Sequence, residues 1–298
     1  MAYSVKAFPL KDNRLPARAL RTVKVIIALL FVLPASLFFL YPQIFYCELI
    51  GLSGFHENGL VYFSPEISPA SYKKLGAAIK KSEARVDSFY SGKKSSPRII
   101  ICSNLQQYQR YCSSTEGAGC SVGTPWGNSY VILNAQGANM DVIAHEMSHI
   151  ELLKRVGWWK VTSDIPQWFN EGVALMLDKR FVNNPDPALK YLDYMDEWMY
   201  YTGGGQEILE LEEITTIKEF FNGGQKKVML AYMSAGMEVA YWQTLSGGDG
   251  MQKFIENLSA GKSFEEAYLN AEDEKLRRYF RRLPPNPLRL QVSEKKSD

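Results

Sequence analysis

The five residues His145-Glu146-Met147-Ser148-His149 constrain this chain more than any other stretch. They stand inside the apolar run "VIAHEMSHIELL", whose period fits a helix, and in a helix residues four apart lie on one face, one turn apart. His145 and His149 can then direct two imidazole nitrogens at one ion, while Glu146 is rotated round the axis to a place beside it. The chain has only three histidines in 298 residues, so two of them in one pentapeptide at this spacing is a rare coincidence. A catalytic metal site needs a third protein ligand and an open position. The fold must therefore bring a second element against this helix.

The remaining histidine, His56, lies far back in the sequence, which makes a carboxylate the better candidate. In "IPQWFNEGVALML", Glu171 is an isolated acid on an apolar helix that starts after Pro166. The same position also suits an acid placed by the helix dipole. Glu151, Asp164 and Asp178 are the other acids to consider.

The two segments "VIAHEMSHIELL" and "IPQWFNEGVALML" together resemble the gluzincin metallopeptidases, and more narrowly the peptidase MA-like family. The resemblance is specific from Tyr130 to Asp178 and looser through "AYMSAGMEVAYW" and "LSAGKSFEEAYLNA". It implies a zincin-like domain with zinc (Zn2+) held by His145, His149 and Glu171, and a peptide or protein substrate cleaved with Glu146 as general base. It also implies a tyrosine from the helical lobe at the oxyanion, with Tyr232 ranked above Tyr241. The strand "SYVILNAQG" would be the edge that pairs with extended substrate. Two features depart from the family: Leu175 stands where some members carry an aspartate that orients a ligand histidine, and 21 residues separate His149 from Glu171. A non-catalytic surface module binding a peptide or envelope partner, and a cell-wall amidase, are the alternative readings.

From Val25 to Tyr46 the chain carries no charge over 22 residues, enough for a helix to cross a hydrocarbon core. Six basic residues precede it against one acid, Asp12, which predicts a cytoplasmic N-terminus and an anchored domain facing the periplasm or exterior. A formal net charge of +2 excludes a strongly basic nucleic-acid binder. The four cysteines all follow the apolar run, on the side where disulfides are permitted. The short Gly/Ser-rich spacer in "CSSTEGAGC" favours a Cys112–Cys120 bridge; Cys47 and Cys102 form a second bridge, or Cys102 stays a buried thiol.

Strands are expected at Gly59–Phe63, in "PRIIIC" and at Tyr130–Asn134, with helices at Pro69–Tyr90 behind the cap Ser68 and from Asn104 through Tyr111. Helices alone follow: Asp141–Arg155, Gln167–Lys179, Pro187–Tyr200, Thr216–Phe221, Lys226–Leu245, Met251–Leu258, Ser263–Asn270 and Glu272–Leu283. This order predicts an α+β fold with a small sheet and a helical lobe. The expected organisation is a basic segment over residues 1–24, a transmembrane helix over 25–46, one domain over 47–284 and a disordered tail over 285–298.

Overall fold

A computed structural model describes residues 38–112, 118–284 and 286–288, with positions 22, 24–26, 32 and 36. Its architecture is α+β. Five strands, β1 (His56–Asn58), β2 (Val61–Phe63), β3 (Arg98–Cys102), β4 (Gly119–Gly123) and β5 (Ser129–Asn134), form one mixed sheet in the order β1-β2-β3-β5-β4. The β2/β3 and β3/β5 pairs are parallel, and both outer pairs are antiparallel.

The central strands β3 and β5 are buried on both faces, and their alternation divides the interior. Ile99, Ile101, Val131 and Leu133 point into the main core. Ile100, Cys102, Tyr130 and Ile132 point the other way, onto Cys47, Ile50, Tyr108 and Tyr111. Those last four come from α1 (Pro42–Glu48), the turn after it and α3 (Leu105–Tyr111). On the main face lie α2 (Pro69–Phe89) and α4 (Met140–Val156), the helix of the histidine pair. The Ser68 side chain caps α2 by accepting from the Ser71 amide, and Pro69 takes the first helical position, where no amide is needed. Leu75, Ile79, Ser82 and Val86 then recur on one face, and the Ser82 hydroxyl donates to the Met140 carbonyl across the contact with α4 at 2.8 Å.

The helical lobe comprises α5 (Trp158–Ser163), α6 (Gln167–Leu175), α7 (Pro187–Tyr201), α8 (Ile217–Phe221), α9 (Gly224–Ser246), α10 (Gly250–Ser259), α11 (Phe264–Asn270) and α12 (Glu274–Tyr279). Phe169 of α6 is fully buried among Trp242, Phe254, Phe264 and Tyr268, an aromatic cluster that joins α6 to α9, α10 and α11. Burial of one such ring contributes about 1.5–3 kcal/mol. Gly172 lets α6 approach α9 closely, since a Cβ there would stand 2.4 Å from Val239 and 2.6 Å from the Ala235 carbonyl.

Several sequence expectations need correction. The strand β4 and the helix α5 were not foreseen, because "GCSVG" carries almost no apolar alternation. The edge of the sheet on this side is therefore β4, and the "SYVILN" strand lies inside, between β3 and β4. Helix α6 stops at Leu175, short of Lys179, and cations from other helices take the carbonyls of the turn that follows it. Lys190 Nζ donates to Met176 O at 3.0 Å and Arg85 Nη1 to Leu177 O at 2.6 Å. Cys112 and Cys120 are joined as expected, with Cα atoms 6.4 Å apart; Cys47 and Cys102 form no second bridge, and Cys102 is the buried thiol of the alternative reading. The Cys47 thiol instead faces the Tyr111 carbonyl at 3.6 Å, and burial pushes the Cys102 thiol up to about 12. The last segment does not leave the domain at residue 285. Asn286 and Leu288 are buried, Asn286 donating to Glu238 at 2.5 Å. Residues 289–298 lie outside the described part, as do residues 27–31, 33–35 and 37 of the expected span over 25–46. Among the described residues no helix is long and apolar enough to cross a membrane.

Candidate metal centre

Helix α4 is started by Asn139, whose side-chain oxygen accepts from the Asp141 and Val142 amides. Its far end is fixed by Glu151, a buried carboxylate that accepts from the Lys94 and Ser95 amides at 2.9 and 2.8 Å and from Arg155 at 2.6 Å. With both ends held, His145 and His149 share one face, their rings 4.9 Å apart.

Helix α6 brings Glu171 onto that face. Its Oε2 lies 3.2 Å from His145 Nε2 and 3.7 Å from His149 Nε2, and one donor atom from each of the three residues falls within a 4.8 Å cluster. In a tetrahedral zinc site with bonds of 2.0–2.1 Å, neighbouring ligand atoms stand about 3.4 Å apart. The two separations between Glu171 and the imidazoles lie close to that value. Each Nδ1 is turned away toward an oxygen. His149 Nδ1 meets Asn170 Oδ1 at 3.0 Å, and His145 Nδ1 faces Asp178 Oδ2 at 3.5 Å, a separation of charges rather than a tight hydrogen bond. Gln167 donates to Glu171 Oε1 at 2.7 Å and leaves Oε2 to the histidines.

Asp178 is fully buried and is gripped by Arg180, whose Nε lies 3.0 Å from both carboxylate oxygens and whose Nη2 lies 2.5 Å from Oδ2. The loop that carries it is tied to the start of α4, because Arg85 bonds Asp141 as well as Leu177 O, both at 2.6 Å. Burial opposes charge on His145. The Asp178 and Glu171 carboxylates and the charge of Glu146 outweigh it and raise the pKa to about 10 in the absence of metal. Burial likewise works against the ionised forms of Glu171 and Asp178. The charge of His149 and the contact with His145 lower Glu171, while His145 and Arg180 hold Asp178 well below the usual carboxylate range.

Glu146 sits on the same helix, half-buried against the edge strand, where a Cβ on Gly119 would come within 3.1 Å of its Cγ. Tyr232, from α9, faces His145 with ring centroids 6.5 Å apart and is packed between Phe181 and Phe220. Tyr241 lies elsewhere, against Tyr191 at 4.8 Å. His56 is on the exposed strand β1 beside Phe63, and Asp164 is exposed and bonded to Ser163. Neither joins the cluster.

Sequence reasoning missed Asn170, Gln167 and Arg180 and considered Asp178 only as an alternative ligand beside Glu151 and Asp164. Asn170 and Gln167 were legible as polar residues on an apolar helix. Asp178 was not, because it reaches His145 only through the turn that follows α6. No protein-family model matches the chain, and no curated protein is significantly similar to it.

Proposed function

We propose that this chain is a zinc-dependent peptidase with a zincin-like domain of the gluzincin type. The observation that carries the reading is the convergence of two imidazole Nε2 atoms on one carboxylate oxygen, with each Nδ1 backed by a further oxygen. Imidazoles backed in this way are oriented, and their ligand nitrogens are made more basic. Zinc held there supplies the Lewis acidity that polarises a carbonyl and acidifies water. Glu146 accepts the proton of the attacking water and delivers it to the leaving amine, which balances the proton over the cycle. Tyr232 donates a hydrogen bond to the oxyanion of the tetrahedral intermediate. The outer edge of β4, beside Glu146, offers backbone groups to an extended substrate. Metal analysis of purified protein should give about one zinc per chain. Peptide hydrolysis should stop on chelation and return with zinc. A protein that hydrolyses peptides equally well after exhaustive chelation would defeat the proposal.

We further propose that the domain is held outside the cytoplasm by the uncharged run Val25–Tyr46. The six basic residues ahead of it and the Cys112–Cys120 disulfide support this placement. A reporter fused after Asp298 should be active only outside the cytoplasm; activity inside would reject the topology.

A further inference from the structure

The edge strand β4 does not offer its whole length to a substrate. Asn134 donates to Ala118 O, and Thr124 donates to Asn128 O, so the residues of β4 that bond β5 are the even-numbered ones. The amide and carbonyl groups of Gly119, Ser121 and Gly123 therefore point outward. The first lies beside Glu146. The last is already taken, because Trp158 Nε1 donates to Gly123 O at 3.0 Å. Trp158 reaches this carbonyl because Gly157, at a φ of +98°, turns the chain sharply after α4. A Cβ on Gly123 would stand 2.5 Å from Leu153, so α4 lies close against the strand at this point as well.

We infer that Trp158 sets the length of substrate this edge can read. The inference rests on the peptidase proposal above. Antiparallel addition has the better hydrogen-bond geometry, and it lays the N-terminal side of a substrate along β4 from Gly119 toward Gly123. The distance between those residues is four steps, about 13 Å at 3.3 Å per residue. Where the next substrate amide would find the Gly123 carbonyl, it meets the indole. Pairing therefore ends about three residues ahead of the cleaved bond, and peptides with short N-terminal extensions are bound as well as long ones. Trp158 does not touch the reacting atoms; it is a specificity-determining residue.

The test uses the full chain in detergent, loaded with zinc. The first bond cut in oxidised insulin B chain is mapped by mass spectrometry, and that sequence is resynthesised with one to six residues ahead of the cut. For the wild type, kcat/KM should rise up to about three residues and then stay level. In Trp158→Ala it should go on rising for the longer peptides by about fivefold, the worth of one net hydrogen bond, through KM with kcat unchanged. A wild-type value that climbs through all six lengths overturns the inference, as does a Trp158→Ala profile that overlays the wild type. Should that variant fail to fold, the wild-type plateau decides alone. If the zinc-loaded wild type cuts no bond, the peptidase proposal itself fails, a result distinct from a length profile of the wrong shape.

Discussion

Asp178→Asn removes one negative charge at nearly constant volume from a position with no exposed surface, directly behind His145. Two effects follow from the contacts. His145 loses the carboxylate that orients its ring from the Nδ1 side, and changes of this kind cost typically 10- to 100-fold in metal affinity, about 1.4–2.7 kcal/mol. Arg180 loses the charge it grips and one of the two oxygens, an amide NH2 standing in that oxygen's place. Removing one partner of a buried pair costs about 3–5 kcal/mol, but the Arg180 side chain is 37% exposed and can turn to water, so the low end applies. The metal-free variant should thus be about 3 kcal/mol less stable, and zinc should bind it 10- to 100-fold more weakly. Competition against a chromophoric chelator measures the affinity, and urea denaturation of the chelated protein measures the stability. Asp164→Asn, on the exposed surface, is the control and should change neither. If Asp178→Asn binds zinc within twofold of the wild type, the orienting role assigned to Asp178 is wrong.

Glu171→Ala should abolish stoichiometric zinc, whereas His56→Ala should leave about one per chain. Full zinc content in the Glu171 variant would remove it from the ligand set. Zinc uptake at pH 7 should release close to one proton, because His145 is protonated below about 10 without metal and must lose that proton to bind. Calorimetry in buffers of different ionisation enthalpy reads the number, and a value near zero contradicts it. The same shift fixes a sign for the chelated protein. A folded-state pKa raised from an ordinary 6.5 gives stability that is complete below 6.5 and lost as the pH rises toward 10. Its melting temperature should decline over that interval. Gly172→Ala should destabilise by about 1–3 kcal/mol through overpacking, since Val239 and the Ala235 carbonyl already occupy the space. Unchanged denaturation would mean that α6 and α9 are less closely apposed than described.

The helices and caps of this fold were readable in the sequence wherever local chemistry decides them. Ser68 with Pro69, Asn104, and the apolar period of "VIAHEMSHIELL" marked their elements within a residue or two. The candidate ligand cluster was readable for the same reason, since a four-residue spacing on a helix is a local property and Glu171 was out of pattern on an apolar face. What escaped depends on contacts distant in sequence. The strand β4 needs β5 to pair with and needs glycines at 119 and 123 so that α4 can approach, and neither requirement leaves an apolar pattern. The carbonyls of the turn after α6 are taken by Arg85 and Lys190, which come from other helices. Of the two alternatives for Cys102, the buried thiol holds and the second bridge does not: Cys47 and Cys102 are both free, packed with Tyr108 and Tyr111 in one buried cluster.

The central claim is that Glu146 moves a proton beside a zinc ion it does not bind. Glu146→Gln keeps the side chain's shape and leaves both imidazoles and Glu171 in place. Zinc content, thermal stability and peptide hydrolysis should be measured on one preparation of this variant. The account predicts unchanged zinc and stability with hydrolysis reduced by about 10²- to 10⁴-fold, the usual contribution of a general base. Hydrolysis at the wild-type rate with zinc retained would contradict it.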